Sequence, residues 1–279
     1  MDKAEYRRQS FEGWNAMAHG WERRRAQIDE ITAPVREWLV EALASKPGET
    51  ILELAAGPGD TGFQAAGLLG ESGTLISSDF SHSMVEVARR RAAELGLENV
   101  EHRTLDAERI ELPNDSVDGV LCRFGYMLMP DPEAALAETR RVLRPGGRLA
   151  LAVWRDAAQN PWVALAGRML TERGLVPPPE PDAPGMFVMA SDERMRELLM
   201  GAGFTVERLE DVPVRFVYET VEEYVGSARD TGGTFARAWD AAADDERESI
   251  TAGLGELFAP FVVDGRYELP GLAFCALAR

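Results

Sequence analysis

Residues 53–62 read ELAAGPGDTG, with glycines at Gly57, Gly59 and Gly62 directly after the apolar run ILELAA, and an acid follows at Asp79. A strand that feeds a glycine turn and then a helix leaves unpaired backbone N–H groups aimed at whatever lies above the turn. Such a cradle suits a pyrophosphate or a carboxylate. By spacing alone, the three glycines and an acid about twenty residues further on form a dinucleotide fingerprint, which points to NAD.

The acids around the loop argue against a phosphate. Glu53 lies before the first glycine and Asp60 lies inside the loop. A like charge about 4 Å from a phosphate oxygen costs roughly 4 kcal/mol at an effective dielectric near 20. S-Adenosylmethionine has no phosphate and carries an ammonium and a sulfonium, so an acidic loop suits it. The same two residues also have a purely structural reading, with Glu53 bonded to backbone at the core edge and Asp60 capping a helix. Acids recur at the ends of the next strands. Asp79 is placed to accept both ribose hydroxyls, each charged hydrogen bond contributing about 1.5–3 kcal/mol. Asp106 is placed to reach an adenine amine, with Ala107 and Glu108 lining the base. The carboxyl ends of neighbouring strands face one crevice in an open sheet, which brings these acids to one adenosine pocket.

The elements that must position them alternate apolar runs with helical patterns, the signature of a parallel sheet covered on both faces. Strands are expected at 51–56, 74–79, 100–106, 117–124 and 148–154, a sixth in GFTVERL and a seventh in LAFCALAR. Ser81 caps a helix whose Met84, Ala88, Ala92 and Leu95 recur at helical spacing. Asp131 caps the next, with Pro132 in its first turn and the stop at RPGG. Helices are also expected at 163–173 and 191–201, and residues 219–259 read as helical. The proline run at 177–181 marks an excursion over the sheet.

Composition narrows the function classes. A net charge of −17 repels phosphate backbones and anionic lipid, which disfavours nucleic acid and membrane as partners. Cys122 and Cys275 sit in strand-like runs and read as buried free thiols. CxxC, HExxH and clustered histidines are missing, so no metal site is expected. A charged N-terminus and the lack of a long apolar run favour a cytoplasmic protein.

The order ELAAGPGDTG, SSDFSHSMVEVAR, LDAERIELPNDSVDGVLCR and RRVLRPGGRLALAVW resembles class I S-adenosylmethionine-dependent methyltransferases. The resemblance is greatest to the broad group typified by ubiquinone and menaquinone biosynthesis enzymes. It is strong over about residues 10–155 and weaker over 155–279. It implies an α/β fold: a Rossmann-like seven-stranded sheet of six parallel strands and an antiparallel closing strand, with a helical cap. One domain over 1–279 is expected, with a lid at 1–45, a cofactor core at 46–155, and a substrate cap with the last two strands at 156–279. Glu53, Ala55, Gly57, Pro58 and Gly59 would hold the methionine end of S-adenosylmethionine. Asp79 would bind ribose, with Phe80 and Met84 against the adenine and Asp106, Ala107 and Glu108 at its edge. Cys122, Arg123 and Phe124 would face the sulfonium and the substrate. Many relatives have glycine or cysteine where this chain has Ala55 and Ala56.

Methyl transfer from a sulfonium is a displacement with an excellent leaving group, so holding the nucleophile in line and excluding water is the main task. The segment FEGWNAMAHGWERR resembles the lid that covers the cofactor in this family, with Trp14 and Trp21 on one helical face unless Gly20 breaks the helix. Simple core packing gives the same spacing. His19, Arg123 and Tyr126 are candidate catalytic side chains, and Trp154 is a candidate pocket wall. Quinone-biosynthesis members carry a glutamate near the place of Val153, and arsenic-methylating relatives use several cysteines, so neither substrate is supported here. The expected partner is a small-molecule acceptor, bound by a monomer or homodimer. An NAD(P)-dependent oxidoreductase or a non-catalytic cofactor-binding protein are the alternatives.

Overall fold

In a computed structural model that describes residues 3–178 and 183–279, the alternating runs assemble into one sheet with helices on both faces. Residues 179–181 of the proline run lie outside the described residues. Strands β1 (Thr50–Leu54), β2 (Thr74–Asp79), β3 (Val100–Thr104), β4 (Val117–Arg123) and β5 (Leu143–Trp154) are mutually parallel. β6 (Val206–Tyr218) lies at the far edge, β7 is the two-residue Val262–Val263, and β8 is Arg266–Ala278. The order is β3-β2-β1-β4-β5-β8-β6, with β8 antiparallel to both β5 and β6 and β7 paired only to β8. The expected six co-directional strands and antiparallel closing strand are therefore present. The short β7 makes the sheet eight-stranded.

Central strands read as continuous apolar runs because both faces are covered: Ile51, Leu52, Val120, Leu121, Leu149 and Leu151 are fully buried. β6 and β8 are longer than their apolar cores suggest. β6 is an edge strand in which Val212, Val214, Phe216 and Tyr218 are buried and alternate with more exposed residues. An edge position also tolerates Pro213.

α2 (Asp60–Leu69), α3 (His82–Glu94) and α4 (Pro132–Val142) follow the strands as expected. The Ser81 hydroxyl accepts from Met84 N and the Asp131 carboxylate from Ala134 N, completing the expected caps. α5 (Pro161–Glu172) and α6 (Asp192–Gly201) lead to β6. The helical stretch after it is three helices, α7 (Val221–Thr231), α8 (Gly233–Ala241) and α9 (Asp244–Phe258). Among the described residues no helix is long and apolar enough to cross a membrane.

The first helix, α1, runs unbroken from Lys3 to Leu43. Gly20 therefore does not end it. Its bare Cα instead lets α7 approach, since a Cβ there would collide with the Asp230 carbonyl. Val35, Trp38, Leu39 and Leu43 bury the later half of α1 in the main core, while Ala18 joins Met84 and Val87 in a separate cluster. Gly20→Ala is expected to destabilise the protein by about 1–3 kcal/mol, the range for a forced contact in a packed interface. Urea unfolding reads it, and an unchanged midpoint would rule out the close approach.

Candidate active site

The crevice lies at the carboxyl ends of β1, β2 and β4, where the chain turns sharply. Ala55, Gly57 and Gly59 all have positive φ, at 52°, 53° and 91°. Two of these are glycines, which adopt this conformation without Cβ strain. Ala55 is not, and it takes the place where many relatives have glycine. Because the left-handed conformation costs an L-residue about 1–2 kcal/mol, Ala55→Gly is expected to stabilise the fold by about 1 kcal/mol. Thermal melting tests this, with a lowered midpoint as the contrary outcome. Above Gly57 the turn is open: a Cβ placed there meets nothing within 4 Å.

Two acids brace the turn. Asp79, at the end of β2, accepts from Gly57 N at 2.9 Å through one oxygen and from Ser81 N at 2.8 Å through the other. Burial pushes its pKa up to about 6, against the pull of those N–H donors. Glu53 is 2% exposed. Its Oε1 accepts from Gly62 N at 2.8 Å, and its Oε2 has no partner. Burial raises its pKa to about 8. A Cβ at Gly62 would strike Oε2, which accounts for the third glycine.

Asp60 is different. It meets Arg91 at 2.8 Å and Arg25 at 3.3 Å, so it is not the free negative charge that its place in the loop suggested. Arg91 also donates to the Pro58 carbonyl at 2.7 Å, fastening α3 to the loop.

Asp106 lies just beyond β3 and accepts from Glu108 N at 2.9 Å. Glu108 accepts from Asp131 N at 3.0 Å and from Arg7, whose Nε also stands 3.5 Å from Asp106. Ala107 is buried beside them. Phe80 meets Phe11 edge-on, with ring centroids 5.3 Å apart. The Asn15 Oδ1 accepts from Ser81 Oγ at 2.8 Å and Ser83 N at 3.1 Å. Trp14 and Trp21 pack 5.9 Å apart against the cluster of Ala18, Met84 and Val87, and Trp21 Nε1 donates to Thr231 O at 3.2 Å. The first half of α1 thus lies over the loops after β2, β3 and β4. Arg7, Phe11 and Asn15 were not among the expected site residues. Their signal is weak, because a charged amphipathic helix looks the same wherever it docks.

The candidates along β4 separate. Cys122 is fully buried, and burial pushes its thiol up to about 12, so it supports the crevice from beneath without lining it. Tyr126 is also fully buried, with its hydroxyl 2.6 Å from Thr139 Oγ1 and its pKa raised well above the ordinary value by burial. It is removed from the catalytic candidates. His19 is removed too: its side chain is 79% exposed and faces Glu22 at 3.6 Å. Arg123 stays at the crevice, donating to Thr32 Oγ1 on α1.

Phe124 follows with φ at +61°, an unusual conformation for an aromatic residue. Its ring stacks on Trp154 at 4.1 Å, and Trp162 stacks on Phe216 at 3.9 Å beside them. Trp154 is 4% exposed, so it backs the wall while Phe124, half-buried, forms its face. Phe216 belongs to this group but was not expected, because it lies in the part of β6 that the apolar pattern missed.

Residues 45–173 match the family model of a methyltransferase domain. Over 115 residues the chain is 34% identical to the ubiquinone/menaquinone biosynthesis C-methyltransferase UbiE of Teredinibacter turnerae, a match that covers 41% of this chain and 46% of that protein. The UbiE of Azotobacter vinelandii is 29% identical over 188 residues, covering 61% of this chain and 71% of its own. The chain thus spans about half the length of the first relative. Among solved structures, a candidate methyltransferase of Bacillus halodurans C-125 superposes with a TM-score of 0.60 at 21% identity, covering 88% of this chain and 97% of that one. That likeness is one of fold.

Proposed function

We propose that this chain, whose residues 45–173 match a methyltransferase-domain model, is a class I S-adenosylmethionine-dependent methyltransferase that transfers a methyl group to a small-molecule acceptor. The observation that carries the reading is the pairing of an open glycine turn at Gly57 with two acids beneath it, the buried Glu53 and the half-buried Asp79. Two carboxyl groups beneath the turn suit a cationic ligand and oppose a phosphate.

Gly57 and Glu53 would hold the methionine end, Asp79 the ribose, and Asp106 with Phe80 the base. The bound cofactor supplies an activated methyl group and a neutral thioether leaving group. What the chain contributes is position and dryness: α1 covers the crevice through Asn15, Trp14 and Trp21, and the Phe124 face presents an aromatic surface to the acceptor. No base is assigned, since His19 and Tyr126 face elsewhere. An aromatic wall fits a small, partly apolar acceptor. The UbiE relatives are named for C-methylation in quinone biosynthesis, but Val153 stands near the glutamate expected of that group and is fully buried in β5, which does not support a quinone here.

Calorimetric titration with S-adenosylhomocysteine, with NAD in a parallel cell, tests the reading. Micromolar binding of S-adenosylhomocysteine alone is expected, and an acceptor screen then follows. Binding of NAD alone would overturn it.

A further inference from the structure

Arg123 stands apart from most of the arginines around it. Arg7, Arg25 and Arg91 each meet a carboxylate within 4 Å, whereas among the described residues Arg123 meets none. Its one described hydrogen bond goes to Thr32 Oγ1, which itself donates to the Ile28 carbonyl at 2.7 Å, so α1 fixes the guanidinium from one side. A guanidinium has five N–H donors. None of the remaining ones is both sealed from solvent and unpaired, so they stay accessible to a ligand.

The strand register places this group. β4 pairs with β1 through Cys122 opposite Leu54, which sets Arg123 beside the glycine turn that begins at Ala55. Glu53 and Asp60 act on it electrostatically, yet neither approaches within ion-pair distance. Burial lowers its pKa from the usual arginine value, a sign that the cation lacks full compensation there. An incompletely paired guanidinium at such a place is costly unless an anion completes it.

We infer that Arg123 is a carboxylate-binding residue that receives the α-carboxylate of the cofactor's methionine end. The inference rests on the S-adenosylmethionine reading above. An α-amino acid presents an ammonium and a carboxylate a few ångströms apart. Glu53, buried beneath the turn with Oε2 against Gly62, and Arg123, with N–H donors left over, are an acid and a cation that make no ion pair with each other. A zwitterion lying above Glu53 would complete the guanidinium directly and feel the acid through its field. Arginine suits this better than lysine because its planar fork can take both carboxylate oxygens. An acceptor carboxylate has the same chemistry and is the other source of such an anion.

Binding by wild type, Arg123→Met and Arg123→Lys separates these. The probes are S-adenosylhomocysteine, its decarboxylated analogue and methylthioadenosine, which lacks the amino-acid end. Wild type is expected to prefer S-adenosylhomocysteine over the decarboxylated analogue by at least about thirtyfold, equal to about 2 kcal/mol. In Arg123→Met that ratio should fall below about threefold, while methylthioadenosine binds within about twofold of wild type and so reports an intact adenosine pocket. Arg123→Lys should give an intermediate ratio, which keeps the test valid if the methionine variant does not fold. If the ratio holds in both variants but aryl carboxylates lose their advantage over matched carboxamides on the S-adenosylhomocysteine complex, the carboxylate is the acceptor's and the cofactor assignment is overturned. If neither preference moves, Arg123 binds no carboxylate. Should wild type bind neither S-adenosylhomocysteine nor methylthioadenosine, it is the cofactor reading that fails.

Discussion

Near pH 8.5, Glu53→Gln is expected to be more stable than wild type and to bind S-adenosylhomocysteine at least about tenfold more weakly. The folded protein holds a proton on Glu53 up to a pKa of about 8, against 4.5 for the free side chain. The stability associated with that proton is fully present below pH 4.5 and is lost as pH rises through 8. At about 1.4 kcal/mol per tenfold change in proton affinity, ionised Glu53 costs the ligand-free protein on the order of 5 kcal/mol. Glutamine keeps an oxygen for Gly62 N and never ionises, so the variant avoids that cost. The ligand ammonium, in contrast, favours the ionised acid. Wild-type affinity should therefore rise with pH towards 8 and then level off, while the variant shows no such rise. Melting curves and calorimetry across pH 6 to 9 measure both effects. A wild-type affinity independent of pH would sink the proposed role of Glu53.

The second large effect is at Asp79. Its replacement by alanine is expected to weaken S-adenosylhomocysteine about a hundredfold, equal to roughly 3 kcal/mol. Two backbone donors, Gly57 N and Ser81 N, lose their acceptor, so the turns after β1 and β2 are no longer tied together. The ribose acceptor goes with them, and hydrogen bonds to a charged group contribute about 1.5–3 kcal/mol each. Methylthioadenosine should weaken in parallel, because the proposed contact is with the ribose and not with the amino-acid end. Protonation has a milder effect of the same sign, so affinity should also fall as pH drops through about 6. Unchanged affinity in a folded variant refutes the assignment.

The parts of this arrangement that local chemistry dictates were readable in the residues alone. Ser81 and Asp131 cap their helices because a short acceptor before an apolar period has little else to do. The glycines at 57 and 59 stand where the backbone must turn left-handed. What escaped depends on partners distant in the chain. Asp60 looks free until Arg25 and Arg91 arrive from α1 and α3. Gly20 looks like a helix stop until Asp230 is seen packed against it. Tyr126 and Cys122 sit near Arg123 in sequence, yet one strand and one short turn send their side chains into the core. The later part of β6 was hidden because Glu210, Asp211 and Pro213 interrupt the apolar pattern before Val214, Phe216 and Tyr218 resume it on this edge strand.

The two halves of α1 have unequal anchorage, and this sets how the crevice can empty. From Val35 onward the helix is embedded in the main core, so a rigid swing of the whole rod would tear that core open. Its first half is held by a small cluster, a few polar contacts and ion pairs such as Lys3 with Asp131 and Arg7 with Glu108. The low-energy exit is therefore stepwise fraying from the N-terminal end, a local unwinding in place of a hinge. Departure of spent cofactor by that route would accelerate steeply on warming, as partial unfolding does, and would quicken with added salt as the exposed Lys3–Asp131 pair weakens. The residence time of the product would then be a property of helix stability, set by residues that touch neither reactant.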